Sequence, residues 1–125
     1  MTPRGYLLDS HVLIWSLYQQ EKLSRQHRAI LETDADTWIS IATIWEIEIK
    51  KQSGKLPLPA AIWEQTLSVG HQFLAIAPQH AIGAATLPGF HSDPFDRMLI
   101  AQARAEKLSV LTVDRNFALY DVTVA

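Results

Sequence analysis

With 125 residues, 48% of them apolar and 19% charged, the chain has the balance of one soluble globular domain and can bury a single sizeable core. Its formal net charge of −2 excludes a broadly basic nucleic-acid-binding surface, so a polyanionic ligand must be held by local Lys and Arg, helix N-termini or cations. The absence of cysteine excludes disulfides, thiolate nucleophiles and zinc–thiolate sites, and it fits a reducing cytosol.

The first apolar run, Gly5 to Leu8, reads as a short strand ending at Asp9. The segment MTPRGYLLDSH thus meets an acid too soon for a signal-peptide core, and no apolar run approaches the roughly 20 residues of a membrane span. A cytoplasmic protein without membrane contact is expected. A helical pattern follows with Val12, Leu13 and Trp15, up to the polar stretch Gln19 to Lys22. Ser24 is placed to cap a second helix through Ala29, Ile30 and Leu31. The acidic turn Thr33 to Asp36 leads into a β-prone Trp38–Ile39–Ser40. Ser40 then caps a helix to about Gln52, closed by Ser53–Gly54.

Pro59 suits the first turn of a helix through Ile62, Trp63 and Leu67 that ends at Gly70. Phe73 to Ile76 reads as a strand, and Pro78 opens a helix toward Ala85. Leu87 to Ser92 has turn chemistry and is the expected flexible loop. Asp93–Pro94 starts the clearest helix, through Met98, Leu99, Ala103 and Leu108. Ser109 to Val113 is a strand, Arg115 to Leu119 a helical turn, and Val122 to Val124 a last strand.

Short strands alternating with longer helices argue for an α/β fold, one domain over 1–125, with a mostly parallel sheet covered on both faces. Ligands in such folds sit beyond the carboxyl ends of the strands. Asp9 and Asp114 each follow a predicted strand directly, Asp96 lies in the first turn of a helix, and Glu46 about two turns into another.

Each of these acids has a structural role open to it. Asp9 can cap the helix after it, and Asp93, before Pro94, has a strong capping signature with Asp96 at the third helical position. Glu46 can pair with Lys50 at i,i+4. In helical projection Ile41, Ala42, Trp45 and Ile49 share one apolar face, and Glu48 lies deeper in that arc than Glu46, so periodicity does not choose between them. Caps explain each acid singly but not their recurrence at strand ends. Carboxylates gathered within about 4–6 Å raise one another's pKa unless a cation lies between them. Oxygen ligands of this kind suit Mg²⁺ or Mn²⁺ and phosphate chemistry. His91 precedes the DPFDR segment closely enough to reach such a site, and His11 follows Asp9. His27, His71 and His80 have no zinc spacing. Lys50, Lys51, Lys55 and Arg97 are candidate phosphate contacts.

At LLDSHVLIW, IATIWEIEIKK, HSDPFDRMLIAQA and LTVDRNF the sequence resembles PIN domains, and more closely the VapC-type toxin ribonucleases of type II toxin–antitoxin modules. The resemblance spans essentially the whole chain. It implies a three-layer α/β/α sandwich with a short, mostly parallel sheet and an endoribonuclease site dependent on Mg²⁺ or Mn²⁺. It assigns Asp9, Glu46, Asp96 and Asp114 as the catalytic, metal-binding acids, which chooses Glu46 over Glu48. Ser10 matches a hydroxyl residue that assists, and Asp93 is kept as a cap. The implied partners are an RNA substrate, such as tRNA or another structured RNA, a small antitoxin protein, and a second copy in a homodimer. Leu13, Trp15, Leu17, Tyr18, Ile30 and Leu31 on the early helices offer docking surfaces.

Other readings make different demands. A PIN-like RNA-processing nuclease would share the site without an antitoxin. A phosphatase would want a second acid two residues after Asp9, where His11 stands. A receiver-like domain needs an acceptor Asp at a middle strand's end, which neither Trp38–Ser40 nor Phe73–Ile76 supplies. A binding module would use the acids as caps alone.

Overall fold

A computed structural model describes residues 5–125; residues 1–4, part of the single domain expected over 1–125, lie outside the described residues. The chain runs β1 (Tyr6–Leu8), α1 (Ser10–Tyr18), a 3₁₀ turn (Gln20–Lys22), α2 (Arg25–Leu31), β2 (Thr37–Ser40) and α3 (Ile41–Gln52). It continues with α4 (Ile62–Ser68), β3 (Gln72–Leu74), α5 (Pro78–Thr86), α6 (Pro94–Glu106), β4 (Ser109–Leu111) and a 3₁₀ turn (Arg115–Leu119). Among the described residues, the four strands form one sheet in the order β3-β2-β1-β4, and every pairing is parallel.

The strands are apolar on both faces because both faces are covered. Leu7 and Val110, paired across the sheet, point into a cluster with Leu99, Ile100, Ala103 and Phe117. Their neighbours Leu8 and Leu111, with Ile39, point the other way against Val12, Leu13, Ile47 and Ile62. This alternation with period two sandwiches the sheet between helices and gives the expected three-layer α/β/α arrangement. Burial of each such Leu or Ile contributes about 1.5–3 kcal/mol. Gly5 brings the chain into β1 against Asp36, whose carbonyl oxygen would lie 2.7 Å from any added Cβ, so only glycine fits.

Buried histidines tie the layers. His80 accepts the Ala77 N–H at Nδ1 (2.9 Å), and its Nε2 lies 2.9 Å from Glu106, joining α5 to α6. His27 reaches the Ala125 carbonyl (2.8 Å). Among the described residues no helix is long and apolar enough to cross a membrane.

Several elements differ from the expectation. β3 lies at Gln72–Leu74 rather than 73–76, and α4 begins at Ile62 because Pro59 to Ala61 forms a separate turn, with the Ile62 N–H on the Pro59 carbonyl (3.2 Å). α6 stops at Glu106, since Lys107 takes left-handed geometry (φ 59°) and places Leu108 outside the helix. β4 ends at Leu111, because the Asp114 N–H turns to a side chain, the Thr112 hydroxyl. The expected last strand shrinks to a single parallel bridge between Val110 and Val124.

The largest departure is the phase of α3. Of the face read as apolar only Ala42 is buried, while Ile41, Trp45 and Ile49 are exposed at 39%, 64% and 46% accessibility; Thr43, Glu46 and Ile47 turn inward beside Ala42. Ser40 is both the last residue of β2 and the N-cap of α3, accepting the Ala42 N–H (3.0 Å) while wholly buried. No loop separates strand from helix, so the strand's exit sets which face of α3 turns inward.

Candidate metal and active site

From β1 the sheet grows through β2 and β3 on one side and to β4 on the other, so the order switches between β1 and β4. In open α/β sheets the crevice beyond the carboxyl ends at such a switch receives ligands. Asp9 follows β1 and Asp114 lies three residues beyond β4, so both stand at this crevice.

Asp9 is the N-cap of α1: Oδ1 accepts the Val12 N–H (2.8 Å), while Oδ2 accepts the Thr112 hydroxyl (2.5 Å). The same Thr112 oxygen accepts the Asp114 N–H (3.0 Å), so one buried hydroxyl fixes both strand-end acids. Asp114 in turn caps the following 3₁₀ turn through Oδ1 and the Asn116 N–H (2.9 Å). Capping and a place in the crevice therefore coexist in one side chain.

At the start of α6 the cap is Asp93, whose Oδ1 accepts the N–H groups of Phe95 (2.8 Å) and Asp96 (3.1 Å). Asp96 is thereby left free of capping. Its Oδ2 lies 2.8 Å from His91 Nε2, which is also 3.3 Å from Asp114 Oδ2. Ligand atoms of His91, Asp96 and Asp114 lie within 4.8 Å of one another. His91 Nε2 is buried and makes no well-aligned hydrogen bond.

The segment that carries His91, expected to be a flexible loop, is tightly pinned. The Arg97 guanidinium donates to four carbonyls, those of Pro88 (3.0 Å), His91 (3.1 Å), Ala84 (2.9 Å) and Leu87 (2.7 Å). The Tyr120 hydroxyl donates to the Pro88 carbonyl (2.6 Å) and accepts the His91 N–H (2.8 Å). Arg97, considered above as a phosphate contact, is thus committed to the backbone.

Glu46 reaches the same place from the buried face of α3, with Lys50 Nζ 3.1 Å from its Oε2. Glu48 turns elsewhere, accepting from the Trp63 indole N–H (2.9 Å) and Lys51 Nζ (3.0 Å), which in that order hold its carboxyl below the ordinary range. A cavity of about 350 Å³ unites the set: Asp9, Glu46, Asp96 and Asp114 all line it. Ser10 and Asp93 line it too, together with His11, Trp15, Lys50 and Val113.

The electrostatics follow from crowding. Burial first, then the Asp93 charge, push the Asp96 carboxyl up to about 7; Glu46 and Asp114 add to this, and His91 opposes it. Burial also pushes Asp9 up, against the Thr112 hydroxyl and the Val12 N–H. Acids converging from four segments beside the one Lys that lines the cavity are a donor set suited to a hard divalent cation, and His91 Nε2 stands against two of them, Asp96 and Asp114. Thr112 went unnoticed in the sequence, although a Thr two residues before a strand-end Asp is a turn signal.

The model of the PIN domain family matches residues 6–122. No curated protein sequence matches the chain. Three solved structures are similar to it over nearly the full length of both chains. A toxin–antitoxin complex from Klebsiella pneumoniae is 19% identical, covers 97% of each chain and has a TM-score of 0.67. VapBC2 from Rickettsia felis bound to a promoter DNA fragment is 14% identical over 96% of each, with a TM-score of 0.76. DNA-bound VapBC from Salmonella typhimurium is 22% identical over 97% of this chain and 96% of that one, with a TM-score of 0.73. At such identities these neighbours speak to the fold. With the match of the family model over residues 6–122, the chain belongs to the PIN domain family.

Proposed function

We propose that the chain is a divalent-metal-dependent endoribonuclease of the VapC type, the toxin of a toxin–antitoxin pair acting in the cytoplasm. The observation that carries this is the convergence of Asp9, Glu46, Asp96 and Asp114 on one cavity at the carboxyl edge of the sheet, with Asp96 driven up to about 7 by its surroundings. PIN domains are nucleases, and the toxin–antitoxin complexes among the structural neighbours support the pairing with a small antitoxin.

Asp9, Glu46, Asp96 and Asp114 would hold Mg²⁺ or Mn²⁺, which when bound supplies an acidified water and neutralises charge on a phosphodiester. The residues do the rest. Thr112 holds the Asp9 carboxylate in one orientation, and Asp93 fixes the first turn of α6 so that Asp96 points into the cavity. Lys50 offsets part of the negative charge that would repel RNA. Asp96 must lose its proton to ligate, so the site gains its full charge only above about pH 7. Ser10, on the cavity wall beside Asp9, is placed to assist. The exposed stripe Ile41–Trp45–Ile49, with Phe95 edge-on to Trp45 at 5.4 Å, supports the homodimer expected for the chain.

Cleavage of RNA with Mg²⁺ or Mn²⁺ tests this reading. The wild type cuts and EDTA stops it, while Asp9→Asn and Asp96→Asn each lose at least about 100-fold. Equal, EDTA-insensitive activity in all three proteins contradicts it.

A further inference from the structure

The acids are only part of the lining of the 350 Å³ cavity. Aromatic and apolar side chains, His11, Trp15 and Val113, complete its wall. His11 and Trp15 stand four residues apart on α1, so both project from one helix face, with ring centroids 5.9 Å apart and planes tilted by 47°. Val113, 55% exposed, lines the cavity immediately before Asp114. Trp15 is half-buried and His11 exposed, so this wall is open to a ligand although it forms one surface with the carboxylates. Neither the caps nor the metal ligands explain an exposed valine and an accessible indole at that place.

We infer that this wall is a base subsite, where the nucleobase next to the cleaved bond packs against Trp15 and Val113 while its phosphate faces the acids. The inference rests on the nuclease reading above and names the side chains that would position the substrate base in that site. A base has two apolar faces and stacks on an aromatic ring whatever its identity. Only a base released from a helix brings that face and its own phosphate together into a single concave site. Lys50 is the one Lys or Arg among the residues lining the cavity, so side-chain charge does little to hold the polyanion and stacking supplies affinity that charge does not.

The test uses a single-stranded RNA oligomer cut at one place, with Mn²⁺, and the same oligomer carrying an abasic ribose on one or the other side of the cut. Trp15→Ala is expected to raise KM on the order of 10- to 100-fold with a smaller change in kcat, and Trp15→Phe to recover most of the loss. One of the abasic oligomers raises KM similarly for the wild type but adds little for Trp15→Ala, since both changes remove the same contact. Circular dichroism checks the fold of each variant, and His11→Ala, at an exposed position, gives a smaller loss in the same direction.

An unchanged KM for Trp15→Ala and Trp15→Phe, while Asp96→Asn abolishes cleavage, overturns the subsite and leaves the nuclease reading intact. So does full additivity of the Trp15 and abasic losses. A Trp15→Ala protein that binds an antitoxin peptide more weakly at unchanged KM gives the wall to a peptide instead. A wild type without metal-dependent cleavage overturns the nuclease reading itself, and the subsite with it.

Discussion

Asp96 takes its place through bonds that spare its carboxylate: Asp93 caps the backbone, and the side chain is left among like charges. Its proton is therefore held up to about pH 7, whereas an Asp in the unfolded chain titrates near 3.9. Between these values the metal-free folded state binds more protons than the unfolded one, so stability is fully present below about pH 4 and declines as pH rises toward 7. Asp9, raised by burial, acts in the same direction, while His71, lowered by burial, acts oppositely as its folded pKa is passed. The informative quantity is thus the difference between proteins. Thermal unfolding in EDTA from pH 4 to 7.5 should show a gain in relative stability of Asp96→Asn over wild type as pH rises; a constant difference contradicts the assignment.

Arg97 provides a second test at this scale. Its removal takes a donor from four carbonyls, of which only that of Pro88 keeps another in the Tyr120 hydroxyl, and releases the backbone that presents His91. Arg97→Ala should cost on the order of 2–4 kcal/mol in denaturant unfolding. Arg97→Lys should recover little, because an ammonium cannot span a fork of four acceptors. Nothing in the DPFDR motif read as sequence distinguishes this clamp from a phosphate-binding Arg; the distinction lies in the path of residues 84–91.

Among the elements, caps were legible and helix phase was not. Asp9, Ser24, Ser40 and Asp93 all accept N–H groups in the first turns of their helices, as their residue types foretell. For α3 the apolar stripe Ile41–Trp45–Ile49 outweighs the buried side in hydrophobicity, and periodicity accordingly points the wrong way. The side that faces inward carries two polar residues, Thr43 and Glu46, and Glu46 lines the cavity. Ile47→Ala should cost about 2–4 kcal/mol and Ile49→Ala within about 0.5 kcal/mol, measured by chemical denaturation. Comparable losses at the two positions would restore the original projection. Ser40→Ala, which removes a wholly buried cap, should cost about 1 kcal/mol.

At the scale of the molecule, alternating strands and helices gave the parallel α/β class, and strand ends placed Asp9 and Asp114 at one edge. The meeting of Glu46 and His91 with them depends on strand order and on how α3 and the loop before α6 cross that edge, and local pattern carries neither. The family motifs supplied Glu46 where periodicity could not. The gathered charge also predicts linkage: a cation at 100 times its Kd should raise folding stability by about 2.7 kcal/mol, and Asp96→Asn should forfeit most of this. The central claim is that the four acids form one cation site whose charge is governed by Asp96. Calorimetric titration of Mn²⁺ into the wild type and Asp96→Asn at pH 8 and pH 6 tests it most directly. The wild type should bind at pH 8 and lose about tenfold in affinity at pH 6, with Asp96→Asn binding weakly at both. Equal affinity in the two proteins, or no dependence on pH between 6 and 8, would contradict it.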